Sequence, residues 1–370
     1  MCPIWLHCDK LEKSFMESNK MSKRVLFGEG DEFLKREGLT LEPEIWEDGL
    51  RTDTGPGNFE WWYFDAHFDD GSTVVIVYHT KPLLLRTGPL KPMIAITITR
   101  PDGQKLSSFP IYRPGQFEAE KDQCDIRIGP SRVHGDLHRY ELHAEGSNLS
   151  ADLVFTGQVP PWRPGSGFNY YNEELTRFFA WLPSIPFGHV EGTLTYDGQT
   201  RPVRGTGYHD HNWGNIGLNE VLSHWYWGRA HLGDYTLIFA NVVAADSYNN
   251  QVFPVFLLAK GSRVLTDDGR FLTLQKGEEQ THISRKTFPG RLDFYWQRDI
   301  ETIHLAIRKP RIIESTSMLT GLPGWKRSLA RLFTNPYYFR FEADLELSVS
   351  ISGECSIEHG PVIYELMILH

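Results

Sequence analysis

The segment FEADLELSVSI, residues 341–351, alternates apolar and polar side chains at every position. Successive side chains of a β-strand point to opposite faces, so the segment predicts a strand with one buried and one solvent-facing side. Similar patterns recur along the chain, and we therefore predict that most of it forms antiparallel sheet. The other predicted strands are residues 62–68, 73–78, 93–99, 140–144, 149–155, 190–196, 235–243 and 362–368.

Asp-Gly dipeptides separate several of these strands. Because Asp and Gly tolerate positive φ angles, each dipeptide is expected to close a tight hairpin. Hairpins in series favour a meander, barrel or sandwich over a parallel α/β sheet. The dipeptides are Asp70-Gly71, Asp102-Gly103, Asp197-Gly198 and Asp268-Gly269.

Helical patterns are confined to two short segments, residues 172–182, with Asn172 as a possible cap, and residues 324–333. The stretch 159–188 is rich in Pro, Gly and aromatic residues, which predicts a crossover or lid between two β units. We place the boundary between the units near its end, around residues 190–205. The predicted division is an N-terminal extension that is partly disordered (1–40), a first β domain (41–200) and a second β domain (201–370).

Composition excludes several classes of protein. The formal net charge of −9 argues against nucleic acid or an anionic membrane surface as the main partner. Four scattered cysteines lack CxxC spacing, and no apolar run reaches the length of about 18 residues that indicates a membrane-spanning helix. We therefore expect a cytoplasmic protein that binds a small hydrophobic molecule, with no nucleic acid partner and no stable membrane insertion.

The segment GTGYHDHNWG, residues 205–214, concentrates more proton-transfer chemistry than any other part of the chain. A strand would divide its side chains between two faces: His209, His211 and Trp213 on one, Tyr208, Asp210 and Asn212 on the other. We expect the histidine face to look into a ligand cavity. Imidazole titrates near neutral pH, so these rings are candidates for acid-base work or ligand orientation.

Two other interpretations of the histidines remain open. They can be metal ligands, although the Glu expected soon after an HxH pair is absent, and we assign no metal. They can also form a hydrogen-bonded set that closes a β bend. Asp210 is expected to face away from them and to contact Tyr208, Asn212 or a nearby loop.

Glu60 stands beside three aromatic residues, which would raise its pKa and keep part of it in the acid form at neutral pH. The competing interpretation is that Glu60 pairs with an arginine such as Arg229. Trp225, Trp227 and Arg229 share one face of a predicted strand, and their rings would stabilise a developing carbocation or simply fill a core. Tyr171 belongs to the predicted lid.

Four blocks in this order resemble one known family: EWWYFD at 60–65, GYHDHNWG at 207–214, WYWGRA at 225–230 and YELM at 364–367. From about residue 40 onward the chain is similar to the carotenoid 1,2-hydratase (hydroxyneurosporene synthase) and AttH-like family. The resemblance implies an all-β fold of two tandem lipocalin-like antiparallel β-barrel domains with a few short helices. It also implies a ligand cavity in or between the barrels, and it matches His211 and Trp213 to the HxW pair of the hydratases.

The resemblance implies an enzyme of the lyase or isomerase type that needs no cofactor. The expected reaction is acid-catalysed hydration or cyclisation of a hydrophobic polyene, isoprenoid or polyketide. Alternatives are a pericyclase of the Diels-Alderase type and a carrier without catalytic activity. The catalytic candidates are His211, His209, Glu60 and Asp210. The ligand contacts are assigned to Trp213, Trp62, Tyr63, Trp225, Trp227, Arg229, Tyr208, Asn212 and Tyr171.

Overall fold

The computed structural model describes residues 23–317 and 336–369, and most of this part of the chain is antiparallel β-strand. The strands form two sheets that follow one another along the chain. The prediction of two successive antiparallel β units with few helices is therefore confirmed. The helices are α1 (Asp31–Glu37) and α2 (Leu218–Val221). Short 3-10 turns occupy Ile45–Asp48, Leu83–Leu85, Pro114–Gln116, Asp246–Tyr248 and Gly269–Phe271.

The first sheet consists of strands β1 to β13. In the sheet their order is β5-β4-β3-β2-β13-β12-β10-β9-β8-β7-β6, and β11 pairs with both β1 and β12. Their bounds are β1 (Leu26–Phe27), β2 (Phe59–Phe68), β3 (Thr73–His79), β4 (Met93–Thr99), β5 (Lys105–Ser108), β6 (Phe117–Ala119), β7 (Cys124–Ile128), β8 (Ser131–Gly135), β9 (Arg139–Gly146), β10 (Leu149–Gly157), β11 (Phe168–Tyr170), β12 (Phe178–Tyr196) and β13 (Gln199–Gly214).

The second sheet consists of strands β14 to β22, in the order β17-β16-β15-β14-β22-β21-β20-β19-β18. The segment 341–351 lies in β21, which pairs with β20 on one side and with β22 on the other. The bounds are β14 (Leu222–Leu232), β15 (Tyr235–Ala244), β16 (Val252–Lys260), β17 (Arg263–Thr266), β18 (Leu272–Thr281), β19 (Thr287–Arg298), β20 (Glu301–Ser317), β21 (Tyr337–Ile351) and β22 (Glu354–Ile368).

Each sheet curves around an apolar core of its own. In the first sheet, Phe64 of β2 packs against Tyr140 of β9, although three strands separate β2 from β9 in the sheet order. In the second sheet, Phe239 and Phe294 are brought together in the same way. Burial of these alternating apolar faces is the main driving force for both units.

All nine predicted strands lie within observed strands. Three of the four Asp-Gly dipeptides join paired strands as predicted: Asp70-Gly71, Asp102-Gly103 and Asp197-Gly198. The hairpin predicted at Asp268-Gly269 is wrong, because these residues open a 3-10 turn between β17 and β18, which do not pair with each other.

The helix predicted at residues 172–182 is also wrong. The Asn172 side chain accepts hydrogen bonds from the backbone N–H groups of Thr176 and Arg177. These bonds close a turn, and the chain then enters β12 at Phe178. The second predicted helix, at residues 324–333, lies outside the described residues.

The chain passes from the first sheet to the second between Gly214, the last residue of β13, and Leu222, the first residue of β14. The division of the chain at residues 200 and 201 stays a prediction. The described part of the predicted N-terminal extension contains β1 and α1. Among the described helices, none has the length and apolar character needed to cross a membrane.

Replacing Phe64 by Ala tests the first core. Phe64 is fully buried, and its ring stacks on that of His209 with centroids 3.8 Å apart. We expect a loss of about 3–5 kcal/mol in the free energy of unfolding, because the cavity left behind is added to the lost burial. Urea unfolding measures it. The matched control is Phe109→Ala, whose ring is 58% exposed, and equal losses in both variants would contradict the assigned core.

Candidate functional site

A cavity of about 900 Å³ lies between the two sheets. Its walls are the faces that the sheets turn away from their own cores, with Trp61 and Trp181 on the first sheet and Trp225 and Trp227 on the second. The cavity volume falls in the range typical of sites for small organic ligands. Largely aromatic walls suit a hydrophobic ligand.

The N-terminal segment closes part of the cavity. Residues 27–30 line it together with residues of the crossover between β10 and β12. A side chain at Gly28 would come within 2.1 Å of Ser166 Oγ and 2.7 Å of the Phe168 carbonyl oxygen, so only glycine permits this contact. The predicted lid region thus forms a wall of the cavity.

The register of β13 determines which of its faces looks into the cavity. In the pairing with β2, Asp210 lies opposite Tyr63 and Asn212 lies opposite Trp61. Directly opposed residues of antiparallel strands point to the same face. The side chains of Tyr208, Asp210 and Asn212 accordingly line the cavity.

The expectation that the histidine face lines the cavity is therefore corrected. His209 and His211 are fully buried, Trp213 is 4% exposed, and none of the three is among the residues that line the cavity. They point into the first sheet because their partners across β2 include Phe64 and Trp62, which belong to its core. No catalytic contact between these rings and a ligand in the cavity follows from this geometry.

The two histidines instead hold a buried network of ion pairs. His209 Nε2 lies 3.1 Å from Asp48 Oδ2, and its Nδ1 lies 2.9 Å from the carbonyl oxygen of Tyr63. His211 Nε2 lies 2.8 Å from Glu60 Oε1, and its Nδ1 lies 3.4 Å from Asp48 Oδ1. Among the described residues, no group of three or more His, Cys, Asp or Glu side chains has the geometry to hold a metal ion.

The contacts of Asp48 determine the direction in which its pKa shifts. Burial alone would raise the pKa of Asp48, but the neighbouring His209, His211 and Tyr140 lower it more, so that the pKa lies below its usual value. The Nε2 of His209 faces the carboxylate of Asp48, and its Nδ1 faces the carbonyl oxygen of Tyr63. Both oxygens are hydrogen-bond acceptors. Each ring nitrogen of His209 thus lies within hydrogen-bond distance of an acceptor oxygen.

Glu60 has a structural role in this geometry. Its carboxylate accepts hydrogen bonds from the backbone N–H of Arg51 (2.7 Å) and from the N–H (2.9 Å) and hydroxyl (2.8 Å) of Thr52. It does not line the cavity. The suggested pairing with Arg229 is wrong, because Arg229 binds Asp65 instead.

Asp210 is the single predicted catalytic residue among those that line the cavity of the described structure. Trp181 Nε1 and the Tyr208 hydroxyl each donate to its Oδ2 at 2.8 Å, and Asn212 Nδ2 donates to its Oδ1 at 2.7 Å. Burial raises the pKa of Asp210 above its ordinary value, although these three donors oppose the rise. A buried carboxyl with a raised pKa on a cavity wall is suited to general acid catalysis.

Glu365 is a second carboxyl on the cavity wall, contributed by β22 of the other sheet. Trp225 Nε1 donates to its Oε1 at 2.9 Å. Burial raises its pKa, the Trp225 bond and Arg340 lower it, and Asp210 raises it further. Glu365 lies within the YELM block and had no predicted role. Its position as the charged residue on the otherwise apolar strand 362–368 was the available signal.

Ion pairs between the sheets account for two arginines near the cavity. Asp65 of the first sheet binds Arg229 and lies 3.8 Å from Arg340, both from the second sheet. Arg340 also lies opposite Glu365 in the sheet. These two guanidinium groups thus lie beside Asp65 and Glu365.

The predicted ligand contacts divide into two groups. Trp62 stacks on His211 inside the first core, Trp213 packs with Phe168, and Arg229 is held by Asp65, so these three do not line the cavity. Trp61 and Trp181 line it but were not predicted, the latter because it fell in the wrongly predicted helix. The predicted residues that do line the cavity are Tyr63, Trp225, Trp227, Tyr208, Asn212 and Tyr171.

The chain is similar in sequence to one family model and to proteins of named activity. A family model described as AttH-like matches residues 93–322. The quinolone epoxide rearrangement protein asqO of Emericella nidulans is 32% identical over 221 residues, which cover 56% of this chain and 60% of that protein. The acyclic carotenoid 1,2-hydratase of Rubrivivax gelatinosus is 25% identical over 298 residues, which cover 75% of this chain and 65% of that protein.

Both alignments thus span less than two thirds of the relatives' own lengths. Among solved structures, CghA with Sch210972 is similar with a TM-score of 0.59 and 14% identity, over 94% of this chain and 98% of that chain. At this identity the likeness concerns the fold. The likeness extends over nearly the whole length of both chains.

Replacing Asp48 by Asn tests the buried network. The variant leaves the His209 ring without its carboxylate, and we expect a loss of about 3–5 kcal/mol in the free energy of unfolding at pH 7. Because folding lowers the pKa of Asp48, its contribution is present above the unfolded-chain pKa of about 3.9 and is lost as pH falls below it.

The difference between wild type and Asp48→Asn should therefore narrow below about pH 4, as measured by urea unfolding between pH 7 and pH 3. The control is Asp122→Asn at an exposed position, which should match the wild type throughout. A difference that stays constant down to pH 3 would contradict the ion-pair assignment.

Proposed function

Because the chain belongs to the AttH-like family, we propose that it is a cofactor-independent enzyme that hydrates or cyclises a hydrophobic small molecule. The reaction takes place in the cavity between the sheets. The proposal depends on one observation, the buried carboxyl of Asp210 on an aromatic cavity wall. The cytoplasmic location expected from the sequence stays part of the proposal.

The names of two relatives support a reaction that begins with proton transfer. One is named an acyclic carotenoid 1,2-hydratase and the other a quinolone epoxide rearrangement protein. Addition of water to an alkene and opening of an epoxide both start when an acid protonates the substrate. We therefore assign this chain to the lyase or isomerase type of enzyme, with Asp210 as the acid.

The contacts of Asp210 indicate where its proton resides. Oδ2 accepts two hydrogen bonds and Oδ1 accepts one, from Asn212. The proton of the acid form thus resides on Oδ1, where it can be donated to a ligand. Burial raises the pKa of Asp210, which favours its neutral form.

In the hydration reaction, the proton moves from Asp210 Oδ1 to one carbon of an alkene, and the positive charge develops on the neighbouring carbon. The negative π faces of Trp225, Trp227 and Trp61 stabilise that charge. Water then forms a bond to the cationic carbon and returns a proton to the Asp210 carboxylate. In the cyclisation reaction, a second double bond of the substrate takes the place of water, and loss of a proton to Asp210 completes the cycle.

Isotope labelling distinguishes the acid-catalysed reaction from two other uses of the cavity, a pericyclic reaction and ligand transport. A pericyclic reaction needs only a folded substrate and one hydrogen-bond donor, and it takes up neither deuterium nor oxygen from solvent. A carrier releases its ligand unchanged. Acid-catalysed hydration incorporates both isotopes, and acid-catalysed cyclisation incorporates deuterium.

Replacing Asp210 by Asn tests the acid. The probes are an acyclic carotenoid in detergent micelles and a quinolone epoxide, each incubated in D₂O and in ¹⁸O-labelled water. We expect turnover to fall by about 10²-fold or more, because general acid catalysis typically contributes 10²–10⁴-fold. Binding, measured by quenching of tryptophan fluorescence, should change little because the amide keeps the shape of the carboxyl.

The control is Asp234→Asn, an exposed carboxylate in the turn between β14 and β15, which should keep full activity. Turnover of either probe by Asp210→Asn at the wild-type rate would show that another group supplies the proton. Unlabelled product from the carotenoid in both solvents would assign the cavity to a pericyclic reaction.

A further inference from the structure

The charged side chains that line the cavity are mostly acidic. They comprise five carboxyl groups and one guanidinium group, from Glu29, Asp210, Asp267, Asp268, Glu365 and Arg270. A cleft with low-dielectric walls focuses the field of the charges that line it, so the sign of a ligand's charge affects its binding.

The one arginine is already neutralised by its neighbours. Arg270 Nε and Nη2 bind the two carboxylate oxygens of Asp268 at 2.8 and 2.7 Å, and Glu29 lies 3.9 Å away. Its side chain is 67% exposed. Arg270 therefore offers little attraction to an anionic ligand, and the other carboxyl groups repel such a ligand.

Two of the carboxyl groups face the interior from opposite walls. Asp210 belongs to the first sheet and Glu365 to the second, and each is held in place by an indole N–H, from Trp181 and Trp225 respectively. Burial raises the pKa of both carboxyl groups, although Arg340 lowers that of Glu365. A cation in the cavity favours the ionised form of both groups, and the ionised groups attract it in turn.

Aromatic rings beside these carboxyl groups add a second attraction for positive charge. Trp61, Trp225 and Trp227 line the cavity with Tyr208. The structure already contains this combination once, since Arg229 lies 5.0 Å from the centre of the Tyr208 ring while it binds the carboxylate of Asp65. Rings and carboxylates together are the chemistry that proteins use to bind ammonium groups.

From these contacts we infer that the cavity selects a hydrophobic amine, a ligand with a positively charged nitrogen, over neutral and anionic molecules of the same shape. The inference rests on the proposed function only in placing the ligand in this cavity. It narrows the substrate class from any hydrophobic molecule to one with a basic nitrogen. Such a ligand also resembles the carbocation of the proposed reaction in charge.

The experiment compares three probes with one carbon skeleton: geranyldimethylamine, geraniol and geranic acid. At neutral pH they are cationic, neutral and anionic. Dissociation constants are measured by isothermal titration calorimetry on the full chain at low salt. We expect the amine to bind about 10-fold tighter than the alcohol, as a cation–π contact of about 1–2 kcal/mol predicts, and the acid to bind weakest.

Glu365→Gln locates the source of the selectivity, because it removes the charge and keeps the shape. Its affinity for the amine should fall about 10-fold, the value of one desolvated charge contact, while its affinity for geraniol stays unchanged. The control is Asp234→Asn, which should bind all three probes as the wild type does. Circular dichroism confirms that the variants are folded.

Geraniol or geranic acid binding as tightly as the amine would overturn the inference, and so would an unchanged amine affinity in Glu365→Gln. The result is independent of turnover. Isotope incorporation without a preference for the amine would refute the inference and leave the proposed enzyme intact. A preference for the amine without any turnover would support the inference and refute the proposed enzyme.

Discussion

The ion pair between Asp48 and His209 determines the orientation of the central strand of the first sheet. Both groups are sealed inside the first core, where an unpaired charge would be costly. Because neighbouring residues on a strand point to opposite faces, fixing His209 inward also fixes Asp210 outward. The network that stabilises the core thus also orients the Asp210 carboxyl toward the cavity.

The cavity exists because both sheets expose a second aromatic face. Each unit buries one face around its own core, and the remaining faces, with Trp61 and Trp181 on one and Trp225 and Trp227 on the other, meet across a common space. The pairs of Asp65 with Arg229 and Arg340 join the units beside that space. The charged side chains that line this space are therefore carboxyl groups and an arginine rather than imidazole rings.

Alternation in the sequence predicted the strands well, since a regular polar and apolar pattern such as that of β21 reports a sheet with one buried face. It did not predict which face of β13 is buried, because both faces of GYHDHNWG carry aromatic and polar groups. Partners distant in sequence made that choice: Phe64 and Asp48 attract the histidines inward. Trp181 was missed because it fell in the wrongly predicted helix. Glu365 had a local signal, a single carboxyl on an apolar strand, but that signal does not show that the strand faces a second sheet.

Infrared difference spectroscopy of the carboxylic acid band at neutral pH tests the assignment of Asp210 most directly. A neutral Asp210 in a dry, hydrogen-bonded position predicts a protonated-carboxyl band in the wild type that disappears in Asp210→Asn and persists in Asp48→Asn. A wild-type spectrum without such a band, or a band that is unchanged in Asp210→Asn, would contradict the proposed acid.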